Sequence, residues 1–265
     1  MMVGPCYLRG PSFASPGAVG SMMTTVTATN TESLRKALNR RRDGAGAAFE
    51  RLSCEARSCT ACPRMNGRTR VLSRRNGALD ARVLFVAEAP GRLGAEVTGV
   101  PLAGDQSGRN FERMLGAVGL TRDDVFVTNA VLCNPLTPDG RNDKPSPAEI
   151  VNCNRFLAGV IDVIAPDLVI AFGVAALSAL ARLEPHGLTL REHLGRPVPW
   201  YGRLLAALYH PSPRTRVFRS PAEQAADLAG CLDMASPYSD ISVAGLARDR
   251  LLGPDSAPAL VPSSA

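Results

Sequence analysis

Lysine is almost missing from this 265-residue chain: of its 30 basic residues only Lys36 and Lys144 are lysine. Aromatic residues make up 5%, with one Trp, and the only histidines are His186, His193 and His210. No run of 18 apolar residues is free of both charge and proline. The most apolar stretch, Leu157 to Ala181, is cut by Asp162, Pro166 and Asp167. No membrane-spanning helix is therefore expected. Residues 1–23 carry three prolines and Arg9 with no apolar core, so no secretory leader is expected and the chain reads as cytoplasmic. In that compartment the seven cysteines suggest a metal, a cluster or core packing rather than a disulfide scaffold. What the chain has is 45% apolar residues, enough for a sizeable core, and a net charge of +6. An arginine-dominated basic excess suits a polyanionic partner, because the guanidinium matches phosphate geometry.

Residues 1–28 and 236–265 are rich in small residues and proline and read as disordered extensions around one folded domain, 29–235. Within it helices and strands alternate. Thr29 with Glu32 resembles a capping box opening a helix to about Arg41, and Ala47 to Arg57 is a second helix. Arg82–Ala87, Val125–Val131 and Asp167–Phe172 are short apolar runs suited to buried strands. Gly108 to Val118 has helical periodicity. Ser146-Pro147-Ala148-Glu149 and Ser220-Pro221-Ala222-Glu223 are two N-terminal caps with proline at the first helical position; the first opens a helix to Ile164. Ala175–Arg182 is a further helix, and Pro197–Tyr201 and Arg203–Tyr209 pair around Gly202. Strands separated by helices predict an α/β fold with a parallel sheet covered on both faces.

In such sheets ligands bind beyond the carboxyl ends of the strands. Three places qualify: the loop after Ala87, the turn at Asn129 to Asn134, and the loop after Tyr209. The unusual residues gather there. Cys59-Thr60-Ala61-Cys62 is a C-x-x-C turn, Cys133 follows a strand, and Cys153 lies in the helix opened by Ser146. Four thiols in a 2 + 1 + 1 pattern can hold zinc or a [4Fe–4S] cluster; the plain alternative is a tight turn plus two core cysteines. Cys6, Cys54 and Cys231 lack partners at useful spacing, with Cys54 an outside candidate.

Six segments, in order, resemble the uracil-DNA glycosylase superfamily, above all its iron–sulfur families four and five. They are CTACPRMNGRTR from Cys59, FVAEAPGRLGAEVTGVPLAGDQSG from Phe85, VTNAVLCNP from Val127, PSPAEIVNCNRFL from Pro145, Ile170 to Ala176, and YHPSPRT from Tyr209. The resemblance implies a three-layer α/β/α sandwich around a four-stranded parallel sheet. It also implies a [4Fe–4S] cluster on Cys59, Cys62, Cys133 and Cys153. Glu88-Ala89-Pro90-Gly91 looks like the family-four first motif. The spacing to Thr98-Gly99, the Gly104-Asp105 step and HPSPRT look like family five. Glu96 stands where family five usually has Asn, and Leu102 where both usually have Phe. The chain reads as a divergent or intermediate member.

The implied reaction is hydrolysis of the bond between the deoxyribose and uracil in DNA, for base-excision repair; a monomer is the default expectation, with no motif bearing on it. His210 would donate an imidazole N–H to the departing base, and Asn129 would read uracil against cytosine. Asp105, Glu88 and Glu96 are candidates to orient water and face the cationic sugar. Ala89, Pro90, Gly91 and Leu102 would line the base pocket, with Leu102 giving up aromatic stacking, which implies weaker uracil binding or a substrate range widened to other deaminated bases. Ser212, Arg214 and Arg216 would grip DNA. Two other readings stand beside this one: a catalytically weak DNA-binding module of the same fold, and a cluster-bearing regulatory protein.

Overall fold

The computed structural model describes residues 44–235. The expected terminal extensions and the helix from Thr29 to Arg41 lie outside these residues. Elements run in the order α1 (44–57), β1 (Val83–Ala87), α2 (Ala95–Thr98), α3 (Gln106–Ala117), β2 (Val125–Asn129), α4 (Pro147–Ile164), β3 (Leu168–Phe172), α5 (Val174–Ala181), β4 (Val198–Trp200), β5 (Arg203–Leu208) and α6 (Pro221–Ala235).

The sheet has five strands in the order β2-β1-β3-β5-β4. Four are mutually parallel, as expected; the fifth, β4, is an antiparallel edge strand paired with β5. The resemblance accounted for the parallel four. The fifth follows from the tight link Tyr201-Gly202, where both residues have positive φ, 48° and 68°, as a two-residue hairpin requires. The parallel strands β1, β2 and β3 are buried along their whole length, which is why they read as unbroken apolar runs rather than alternating ones.

Alternate strand residues point to two cores. Val83, Phe85, Val127, Ile170, Phe172 and Leu208 pack against Phe111 and Leu115 of α3 and Leu228 and Leu232 of α6. Leu84, Val86, Phe126, Val169 and Leu205 pack against Phe49 of α1, Phe156, Leu157 and Ile161 of α4, and Leu177 and Leu180 of α5. The result is three layers. Phe85, Phe111 and Phe172 form a mutual ring cluster, with Phe85 stacked on Phe172 at 5.2 Å. Both serine caps form as the sequence indicates. Ser146 and Ser220 each accept from the amide three residues on, at 3.3 Å, and each serine amide donates to that glutamate at 2.7 Å. Outside β2, Gly77 bridges Phe126 in antiparallel fashion. A Cβ there would sit 2.0 Å from the Val125 carbonyl, so only glycine allows the approach.

Candidate functional site

The carboxyl ends of β1, β3 and β5 open onto one cleft, with about 1,680 Å³ of empty space including its mouth. Of the residues expected at the site, Glu88, Ala89, Pro90, Gly91, Leu102, Asp105, His210, Ser212 and Arg214 line it. Glu96 and Arg216 do not. Glu96 turns toward the cysteine side, accepting from the Thr69 amide at 3.1 Å. Arg216 lies in a separate groove between α3 and α6 and donates to Asn110 Oδ1 at 3.1 Å. Arg214 also lines an adjoining groove with Arg92 and Arg141.

The loop after β1 is shaped from outside. Asn134 donates to the Pro90 carbonyl and, at 3.0 Å, to Asn142 Oδ1, which also accepts from the Arg92 amide at 3.0 Å. The strand ends are tied together where Ala130 donates to the Ala87 carbonyl at 2.7 Å. Asp105 is the N-cap of α3, its Oδ1 accepting from Gly108 at 2.9 Å. Its Oδ2 faces Gly91 and Gly94, and a side chain at Gly94 would come within 2.7 Å of it. Leu102 sits at φ 48°, a left-handed conformation that L residues rarely adopt. Arg122 holds it there, donating to the carbonyls of Pro101, at 2.9 Å, and Leu102. Gly108 is required at the crossing, since a Cβ would lie 2.6 Å from the Leu102 carbonyl oxygen. Gly108→Ala is expected to cost about 1–3 kcal/mol, read as a lowered melting temperature, because backbone rather than a flexible side chain must move.

His210 follows β5, its ring edge-on to Phe172 at 6.1 Å. Burial pushes its imidazole down to about 4, against an opposing pull from Asp105. The ring is therefore neutral at physiological pH and carries one N–H. Its loop is rigid: Thr215 Oγ1 donates to the carbonyls of His210 and Ser212, both at 2.7 Å, and Asn110 donates to Pro211 at 2.8 Å. Burial raises the Glu88 carboxyl, while Lys144 pulls it back down.

Asn129 ends β2, in register with Ala87 and one residue from the level of Glu88. It is buried and is not among the residues lining the open cleft. Strand alternation puts its side chain on the same sheet face as Val127, Phe85 and Phe172. Its amide nitrogen is buried without a partner in the protein. An unmet buried donor costs about 1–3 kcal/mol.

Several cleft residues escaped the sequence reading. Phe172 and Gly173 line it, and the strand-end rule applied to β3 as well would have found them. Asn134, with an unpartnered buried Oδ1, lies inside the VTNAVLCNP segment. Asn142, Asp143 and Lys144 carried no local signal.

The four cysteines Cys59, Cys62, Cys133 and Cys153 line a second, smaller cavity with about 400 Å³ of empty space. Cys54 is exposed and outside it, and Cys231 is buried in the other core. Three sulfurs already receive donors: Leu132 N to Cys153 at 3.3 Å, Asn152 Nδ2 to Cys62 at 3.5 Å, and Arg155 Nη2 to Cys59 at 3.8 Å. Burial pushes the Cys133 and Cys153 thiols up to about 11 and about 12. Among the described residues, no group of three His, Cys, Asp or Glu side chains is placed to hold a single metal ion.

A mostly parallel sheet, a cleft at its strand ends between a histidine loop and a proline-glycine loop, and a separate four-cysteine cavity define the architecture of this α/β protein. Comparison makes the class specific. The family model of the uracil DNA glycosylase superfamily matches residues 75–230, and the chain belongs to that superfamily. It is 35% identical over 165 residues to the type-4 uracil-DNA glycosylase of Thermotoga maritima, covering 62% of this chain and 81% of that protein. It is 32% identical over 150 residues to the type-5 uracil-DNA glycosylase of Pyrobaculum aerophilum, covering 52% and 64%. Likeness to both types agrees with the mixed motifs of the first loop. No helix among the described residues is long and apolar enough to cross a membrane.

Proposed function

We propose that this chain hydrolyses the N-glycosidic bond of deoxyuridine in DNA, as a monomeric, cytoplasmic base-excision enzyme. The observation that carries the proposal is a neutral histidine after β5 and an unpartnered buried asparagine amide at the end of β2, both at the carboxyl edge of one sheet. As the bond breaks, the base leaves as an anion and the sugar becomes cation-like. A neutral His210 N–H aimed at uracil O2 gains strength as that charge develops, which lowers the barrier rather than merely binding substrate. Asn129 donates to O4 and accepts from N3–H. Cytosine presents the reverse pattern and would leave the amide unpaired. Glu88 and Asp105, two of the three acids that line the cleft, face the cationic sugar and orient water, while the third, Asp143, is paired with Arg64. The target base must first leave the stack, and Arg214 with Ser212 meets the backbone beside it.

The cysteine cavity suits a [4Fe–4S] cluster better than a single zinc ion. Its donor set is four soft thiols, three with hydrogen-bond donors already supplied. When bound, the cluster cross-links the Cys59–Cys62 turn, the Cys133 loop and α4; the hydrolysis itself moves no electron. The purified protein should be brown, whereas a zinc protein is colourless.

The deciding experiment incubates single- and double-stranded oligonucleotides carrying uracil, hypoxanthine or xanthine, followed by alkali. Strand scission at uracil and none at cytosine is expected; no scission at any of the deaminated bases by the coloured protein rejects the reading. Leu102→Phe adds an aromatic face beside the base and is expected to lower KM, by up to about 1–3 kcal/mol of added binding.

A further inference from the structure

Lys144 is one of two lysines in the chain, and with Asp143 it lines the reactive cleft. Both lie in the loop between Pro135 and the cap of α4, held by no strand or helix. Main-chain bonds and Asn142 hold the first part of that loop, and its end is tied to the rest of the protein by Arg64, on the helical turn Pro63–Met65 directly after Cys62. Its Nε and Nη2 donate to the two carboxylate oxygens of Glu149 at 2.9 and 2.6 Å. Its Nη1 donates to Asp143 Oδ2 at 2.5 Å, and Nη2 also donates to the Lys144 carbonyl at 3.1 Å. Glu149 lines the cysteine cavity and caps α4. One planar guanidinium thus joins the cysteine turn, the α4 cap and the cleft wall. A lysine, with its single point charge, cannot span these partners together.

We propose that Arg64 is a positioning residue coupling the cysteine centre to the reactive cleft: it anchors the Asp143–Lys144 segment to the turn carrying Cys62 and so sets where the Lys144 ammonium stands relative to Glu88. This deepens the glycosylase reading and rests on it. The coupling gives the cysteine centre a route to the cleft that needs no redox step. Loss of order at the Cys59–Cys62 turn frees Arg64, and the Lys144 wall moves with it.

The test compares Arg64→Lys, Lys144→Ala and the double variant, in the protein as purified with its cofactor. Each single change is expected to lower kcat for uracil excision by up to about 100-fold with KM little altered. The double variant should lose no more than the worse single one, since both act on one geometry. Losses that multiply overturn the proposal. Arg64→Lys should keep its colour and melting temperature; if both are lost along with activity, Arg64 serves folding alone and the proposal fails. Hydrogen exchange supplies a readout free of turnover. The amides of Asp143, bonded to the Pro135 carbonyl at 2.9 Å, and Ser146, bonded to Glu149 at 2.7 Å, should exchange faster in Arg64→Lys while the interior of α4 does not. Unchanged exchange at both also overturns it. Should the wild type fail to excise uracil, the glycosylase reading falls, and exchange still decides the coupling.

Discussion

Replacing His210 with alanine is expected to lower kcat for uracil excision by about 100- to 1,000-fold, the usual consequence of removing one donor aimed at developing negative charge. KM should change little, because the bond to O2 is weak in the ground state and strengthens only as the base departs. The fold should survive, since the loop is held through main-chain bonds from Thr215 and Asn110 rather than through the imidazole. The pH profile gives a second reading. Burial places the folded imidazole near 4, below its ordinary value of 6.5. Wild-type kcat should therefore show no break near 6.5, and the histidine itself contributes a fall only as pH approaches about 4. The stability sign follows from the same depression. Above 6.5 the histidine is neutral folded or unfolded and adds no pH dependence. Below it the unfolded chain takes up the proton first, so stability falls progressively down to about 4. His210→Ala removes that part of the acid sensitivity. A break in kcat near 6.5 in the wild type would mean the ring is charged and acts in another way.

Cys153→Ala is expected to bleach the protein and lower its melting temperature by roughly 10 °C. The proposed four-thiolate cross-link would close long loops from the C-x-x-C turn to α4, and covalent closures of that kind contribute about 2–4 kcal/mol each, at about 2–4 °C per kcal/mol for a domain of this size. Cys231→Ala is the control. That thiol is fully buried in the α3–α6 core, away from the cavity, and its loss should lower stability without loss of colour. Visible absorbance and melting curves on the two variants check both statements. Equal colour in Cys153→Ala and wild type would remove Cys153 from the ligand set.

The framework was legible in the sequence because its signals are local. The β1 and β3 runs, the two Ser-Pro-Ala-Glu caps and the link at Gly202 are each decided within a few residues, and each formed as read. The extra β4 strand followed from the same Gly202 reading but was not carried into the strand count. The cleft was legible in part, since motif order placed Glu88, Leu102, Asp105 and His210 at one rim. Side-chain direction was not legible. Glu96 directly follows the cleft-lining Ala95, yet a one-turn helix rotates it toward Thr69. Asp105 read as a free acid, and half of its carboxylate caps α3. The contacts that build the walls, Asn134 to Pro90 and Arg64 to Glu149, join residues 44 and 85 positions apart, and no periodicity encodes such distances.

Open α/β sheets carry two borders that can recruit foreign strands. On one border here, the main chain at Gly77 lies against β2 and donors from that segment meet its carbonyls, with Ala78 N on the Val125 oxygen at 3.2 Å. On the other, β4 is three residues long and its middle residue, Pro199, has no N–H to offer. Neither border can extend the hydrogen-bonded ladder into a neighbouring copy. Among the described residues, the sheet borders are thus closed to strand addition, and the faces left for contact with another molecule are helices, loops and the strand ends.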